Sequence, residues 1–315
     1  MMHVEFRTIV PPQEQQPKID YNSRILLLGS CFVENIAKKL QYYKFNCLEN
    51  PFGILFHPGA IARLLKRLES KEAFTEADLF HSDGRWHTFA AHSRMSGADM
   101  EKVLTDLNSA LNETAAYLES ASHIIITLGS AWGYRERSSG NIVANCHKQP
   151  GNNFTKELTE VNDELHSIAK IIKSINPKTR LIFTVSPVRH LKDGFIGNQR
   201  SKAQLITAVH QLISHEESIA YFPSYEIVMD ELRDYRFFKE DMIHPNETAI
   251  NYIWERFGKI WTDPQAEEIM ERVESIQKDL SHRSFDENSG SYQKFKKKLQ
   301  EKIMSLQKEC PNISF

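Results

Sequence analysis

Three short runs constrain this 315-residue chain more than any other feature of it. Residues 24–28 (RILLL), 123–128 (HIIITL) and 180–185 (RLIFTV) are Leu-rich or β-branched and apolar on both faces. A strand with one face in water alternates apolar and polar residues. A strand that does not alternate is covered on both sides, which is the situation of a parallel sheet between helices. Two weaker runs, 44–48 and 219–222, read as further strands of the same kind. Between the runs the apolar period lengthens to that of a helix. Val33, Ile36, Ala37, Leu40 and Tyr43 share one face, and Ile61, Leu64, Leu65 and Leu68 share another. Residues 98–120 and 162–175 give two more helices, the second halted by Asn176-Pro177. Strands alternating with helices predict a three-layer α/β/α sandwich with a mostly parallel sheet over residues 1–262.

The last fifty residues follow a different pattern. Ile269, Val273, Ile276 and Leu280 have helical spacing, and so do Phe295, Leu299, Ile303 and Leu306. The polar stretch SHRSFDENSGS lies between them. This predicts a helical hairpin over 263–315, packed on the main domain.

Charge narrows the partners. A net charge of −2 with 25% charged residues excludes a basic nucleic-acid binder. No run reaches the roughly 18 apolar residues of a membrane span. The first twenty residues have no signal-peptide core and are broken by Pro11, Pro12 and Pro17. Cys31, Cys47, Cys146 and Cys310 form no CxxC pair, which fits reduced thiols in a cytoplasm. There is no P-loop glycine pattern. No pair among His81, His87, His92, Cys146 and His147 has helix or knuckle ligand spacing, so neither metal nor cofactor is expected. The expected partner is a small molecule, with no nucleic acid and no membrane insertion.

In an open parallel sheet, ligands bind where the strands end. Three predicted strands end in small polar residues: Gly29-Ser30-Cys31, Gly129-Ser130 and Ser186-Pro187. A second signal lies late in the chain, in EDMIHPNETAINYIWERF (240–257). Pro245 suits a helix start. Asp241 and His244 therefore fall in the loop before a core helix. At that spacing the carboxylate can accept from one imidazole nitrogen and leave the other to act as a base. The alternative is that Asp241 caps the helix and His244 is a packed surface histidine.

A strand-end turn with a nucleophile and a late Asp-x-x-His resemble the first and last blocks of the SGNH/GDSL hydrolases. More narrowly, the chain resembles the GSCFA family. Gly29-Ser30-Cys31-Phe32 carries the motif, with Val33 in place of the final Ala. NPFGILFHP (50–58), HSRMS (92–96), ITLGSAWGYR (126–135), ANCHK (144–148) and FTVSPVRHLKDGFIGNQRSKAQL (183–205) are similar as well. The resemblance implies a nucleophile at Cys31, or at Ser30 if the register shifts by one, with His244 as base and Asp241 as its orienter. A thiol at a helix N-terminus is expected to have a lowered pKa. The second block implies an oxyanion N–H at Gly53. The third block is normally Gly-x-Asn-Asp, but here reads Gly129-Ser130-Ala131-Trp132, without the asparagine. Ser130 and Asn145 are the candidate replacements. His92, Arg94, His147, Arg189, His190, Asn198 and Lys202 are candidates to line a polar, carbohydrate-like pocket. The implied activity is hydrolysis or acyl transfer on an acyl ester, such as an O-acetylated carbohydrate. The alternative is a non-catalytic binding or scaffold protein of the same fold.

Overall fold

The computed structural model describes residues 7–149, 151–282 and 289–315. Its centre is a five-stranded, all-parallel sheet built from β1 (Arg24–Gly29), β2 (Asn46–Glu49), β5 (His123–Leu128), β9 (Arg180–Val185) and β10 (Ile219–Phe222). The spatial order is β10-β9-β5-β1-β2. The chain therefore reverses direction across the sheet between β1 and β5, and a crevice opens at their carboxyl ends. Of the two weaker runs, 219–222 is a strand as expected, while the other begins at Asn46 rather than residue 44, after a turn at Lys44 with φ +66°.

Helices cover both faces, which is why these strands do not alternate. On one side lie α1 (Cys31–Tyr42) and α7 (Glu247–Trp261), packed on Ile25 and Leu27 of β1 through Val33, Ile36, Ile253 and Phe257. On the other lie α2 (Pro58–Ser70), α3 (Met100–Ser120), α4 (Asn162–Ile175) and α5 (Gly194–Ile213), packed on Leu26 and Leu28. Successive residues of β1 thus feed opposite cores, as the strand's two-residue period requires.

Two small antiparallel sheets decorate this frame. One is a hairpin of β3 (Phe80–Ser82) and β4 (Arg85–His87). The other has the order β7-β6-β8, from β6 (Trp132–Glu136), β7 (Ile142–Val143) and β8 (Phe154–Leu158). A short helical segment, α6 (Ser224–Glu226), runs into a wider π turn over Ile227–Leu232. At the C-terminus, α8 (Pro264–Ser281) and α9 (Gly290–Glu309) pack together through Val273, Ile276 and Leu306. Tyr21 joins that cluster, and Gln277 donates to Tyr42 O, so the pair is docked on the main domain. Most of the expected polar connection between α8 and α9, residues 283–288, lies outside the described residues. No helix among the described residues is long and apolar enough to cross a membrane.

Candidate active site

The β1–α1 turn begins at Gly29. Its φ is +133°, and a Cβ there would stand 2.1 Å from Thr127 O on β5. Only glycine allows the strand to pass so close to its neighbour. Asn50, just past β2, holds the turn from beneath, its Oδ1 accepting from Gly29 N–H at 2.9 Å. Ser30 follows as the N-cap of α1. It is 1% exposed, its N–H donates to Thr127 O, and its Oγ accepts from Phe32 N–H at 3.4 Å. Cys31 is the first helical residue and is only partly buried. Its thiol makes no hydrogen bond to any other described residue.

The expected lowering of the Cys31 pKa does not occur. Burial raises it, as does the nearby Glu34 carboxylate. Lys202, the thiol's own backbone N–H and Lys239 pull the other way without prevailing. Glu34 sits one turn along α1 and is paired at 2.7 Å with Arg94, so two expected site elements, the turn and Arg94, do meet.

The Asp-x-x-His element forms as expected. His244 Nδ1 lies 2.7 Å from Asp241 Oδ2. Asp241 Oδ1 also accepts the N–H groups of Ile243 (2.8 Å) and His244 (3.0 Å). These bonds, led by the His244 backbone N–H, hold the carboxyl down at about 2. The loop is tied to the segment after β9: Arg189 N–H donates to Ile243 O, and Arg189 Nη1 donates to Met242 O at 3.2 Å. It also meets the surroundings of Cys31, because Lys239, whose N–H donates to His244 O, is one of the charges that act on that thiol. Among the described residues no hydrogen bond joins His244 to Cys31 or Ser30. Free enzymes often leave such a bond long until substrate arrives.

Between these two elements lies a buried group from α5. Asn198, Ser201 and Lys202 occupy the first half of that helix's buried face, and Leu205, Ala208, Val209 and Leu212 the second. The polar half faces the strand ends. Lys202 Nζ donates to Gly129 O at 2.6 Å and to Ser186 O at 2.7 Å, bridging β5 and β9. Burial lowers its pKa to about 7, and the neighbouring Cys31 limits the drop. Asn198 Oδ1 accepts from His190 N–H at 2.9 Å, so this expected pocket residue acts on the chain of the neighbouring loop. The His190 ring tilts against Phe56 at 5.5 Å, and its buried Nε2 has no partner among the described residues.

Of the three expected oxyanion donors, the Gly53 N–H is spent on a local turn, and the side chains of Ser130 and Asn145 accept local backbone N–H groups. Gly53, at φ +73°, donates its N–H to Asn50 O at 2.7 Å. A Cβ there would meet His92 Cβ at 2.5 Å, so this glycine shapes a turn against His92. Ser130 Oγ lies 3.1 Å from Ser201 Oγ and accepts from Trp132 N–H, bracing the end of β5. Asn145 Oδ1 accepts from His147 N–H at 2.8 Å within its own loop. His147 in turn bonds Thr88 O and lies 4.6 Å, ring to ring, from His87. His92 caps the short turn that carries Arg94, through Nδ1 and Arg94 N–H at 3.3 Å. Burial lowers the pKa of both His92 and His147. Among the described residues no group of three or more His, Cys, Asp or Glu side chains is placed to hold a metal ion.

The sequence profile of the GSCFA family matches residues 24–257, from the first residue of β1 into α7. The chain belongs to the GSCFA family. A second profile, the GSCFA domain protein C-terminal domain, matches residues 273–315 and so takes in α9 and the second half of α8. None of the curated proteins compared matches the chain. Among solved structures it is similar to the Clostridium thermocellum family 3 carbohydrate esterase, at 10% identity and a TM-score of 0.35, over 80% of this chain and 98% of that one. A likeness that shallow says nothing about activity.

Proposed function

We propose that this GSCFA protein is an esterase-type hydrolase or acyl transferase that uses Cys31 as nucleophile, His244 as base and Asp241 as the orienter of the imidazole. One observation carries the reading. At the crevice between β1 and β5 the Ser30 hydroxyl is buried in a helix cap, while the Cys31 thiol stands partly exposed, with no hydrogen bond to another described residue. An Asp241–His244 pair lies in the loop docked at the same edge. The thiol's raised pKa keeps it protonated at rest, so a base is required for attack.

The chemistry then runs in two halves. The sulfur attacks the acyl carbon, a C–S bond forms, and the carbonyl π pair moves to oxygen. The thiol proton passes to His244 Nε2, while Asp241 holds the Nδ1–H. Collapse restores the carbonyl, breaks the ester C–O bond, and the departing alkoxide takes the proton from His244. Water or an acceptor alcohol repeats the cycle on the thioester. Arg94, paired with Glu34 of α1, brings a polar group to the turn, which suits a substrate such as an O-acetylated carbohydrate. The four unpaired cysteines suit a cytoplasmic setting.

The test is turnover of p-nitrophenyl acetate and release of acetate from acetylated oligosaccharides, with mass detection of an acyl group on Cys31. Turnover lost in Cys31→Ala supports the reading. An inert wild-type chain with no acylation refutes it and favours a binding role, for which the absence of a His244–Cys31 hydrogen bond is the specific support.

A further inference from the structure

We propose that His190 is the oxyanion donor of this site, its Nε2–H taking the place of the asparagine that the sequence lacks after Gly129. The inference rests on the acyl-ester reading and adds a catalytic residue to it.

A point one Cβ bond from the Gly129 Cα lies 3.3 Å from His190 Nε2 and 3.2 Å from Ser30 Cβ. The imidazole edge therefore abuts the end of β5 on the side of the nucleophile turn. Nearby backbone donors are consumed: Gly129 N–H goes to Phe56 O, Ser30 N–H to Thr127 O, and Gly53 N–H to Asn50 O. The Cys31 N–H, at the first helical position, bonds no helix carbonyl and meets only its own sulfur, so it can serve as one donor once the sulfur turns to the acyl carbon. A second donor has to come from a side chain.

His190 Nε2 is buried and unpartnered among the described residues. An unmet buried polar atom costs stability, and this one lies at a strand-end crevice, where an arriving group can satisfy it. The ring is also fixed in advance. Asn198 holds its backbone N–H, and Phe56 packs on its face. A donor that needs no reorganisation at the moment of reaction is what oxyanion stabilisation requires.

The ring must be neutral for this role, since an imidazolium would be a competing acid. Burial is the largest cause that holds it neutral, and the charges of Lys202, His244 and Lys156 add to it, so that its pKa falls to about 3. No proton leaves His190 in the reaction. As sulfur bonds to the acyl carbon and the carbonyl π pair moves to oxygen, Nε2–H donates a hydrogen bond to that oxygen. The bond is released when the carbonyl re-forms and the ester C–O bond breaks.

The experiment compares wild type, His190→Ala and His190→Gln on p-nitrophenyl acetate. It also measures inhibition by a trifluoromethyl ketone, whose thiol adduct carries an oxyanion, and alkylation of Cys31 by iodoacetamide, which forms none. Removing one such donor is expected to lower kcat by about 10²–10³-fold with little change in KM. The ketone's Ki should rise in parallel, His190→Gln should recover most of both losses, and Cys31 alkylation should stay at the wild-type rate in all three proteins. His190→Ala turning over within threefold of an active wild type overturns the proposal alone. So does a parallel fall in alkylation, which would place His190 behind the nucleophile or the fold. A wild type that neither turns over ester nor binds the ketone overturns this proposal together with the esterase reading.

Discussion

Replacing Lys202 with methionine isolates the buried amine that bridges the strand ends. The side chain is 2% exposed, and its two hydrogen bonds run to Gly129 O and Ser186 O. Methionine fills nearly the same volume but donates to neither carbonyl. Leaving two buried acceptors unmet costs about 1–3 kcal/mol each. Charge works in the opposite sense. Burial takes the amine from its ordinary 10.5 to about 7. A drop of that size corresponds to about 5 kcal/mol of preference for the neutral amine.

The folded pKa lies below the unfolded one, so between them the unfolded chain holds more of this proton. Stability from Lys202 therefore rises with pH across the window from about 7 to 10.5 and is flat below it. Lys202→Met has no such slope. The wild type's advantage over the variant should widen by roughly 2.5 kcal/mol between about pH 7.5 and pH 9.5. Near neutrality the two effects oppose each other, and the proteins should be close in stability. Urea unfolding of both proteins at both pH values reads this directly. A difference that stays constant between the two conditions would refute a depressed buried amine.

Three further outcomes follow from the site. His244→Ala and Asp241→Asn should each lower kcat on p-nitrophenyl acetate by about 10²–10⁴-fold, measured by initial rates, with circular dichroism unchanged. Glu34→Gln removes a carboxylate that holds the Cys31 thiol protonated, so alkylation of Cys31 at neutral pH should quicken by about threefold to tenfold, seen by mass spectrometry. Burial holds His57 at about 4, between Gly59 N–H, Ala131 O and Thr159 Oγ1. Its folded pKa is depressed, so its stabilisation is complete above 6.5 and declines as pH falls towards 4, by roughly 3 kcal/mol. His57→Gln should flatten that part of the acid unfolding curve.

The sheet was legible because burial on both faces leaves a signature in a short window. RILLL, HIIITL and RLIFTV are strands β1, β5 and β9. Helix α5 was not legible, because the first half of its buried stripe is Asn198, Ser201 and Lys202. Polar residues at core spacing read as a surface. The same substitution of polar for apolar marks where a helix passes the carboxyl edge of the sheet, and that switch at Leu205 is the signal to look for. The β6–β8 sheet was missed for a related reason. Tyr134 and Lys156 pair across it on an exposed face, and little in Trp132–Glu136 distinguishes a strand from a loop. The Asp241–His244 contact was legible from spacing, since both ends lie in one turn. The commitments of Gly53, Ser130 and Asn145 were not, because each depends on a neighbour fixed by the fold or by a local turn geometry. His190 and Lys202 carry no motif spacing at all. They act through β5 and β9, which only the sheet brings together.

The register of the β1–α1 turn decides between two chemistries, and the helix start favours the thiol of the proposed reading. An N-cap side chain turns back to accept an N–H of the first turn, whereas the next residue's side chain leaves the helix freely. Ser30 is the cap, and Cys31 is the next residue. The hydroxyl is enclosed beside Gly129 and bonded to Phe32 N–H, so a carbonyl carbon has no approach to it. Ser30→Ala should therefore cost about 0.5–2 kcal/mol of stability, towards the low end because the cap bond is long at 3.4 Å. Acylation at Cys31 should persist in that variant. Cys31→Ala should leave stability nearly unchanged and abolish acylation. Urea midpoints and intact-mass spectra of the two variants after exposure to p-nitrophenyl acetate separate these effects. The reverse pattern, an acylated Cys31→Ala chain and an inert but stable Ser30→Ala chain, would place the chemistry on the hydroxyl and require the α1 cap to open during catalysis.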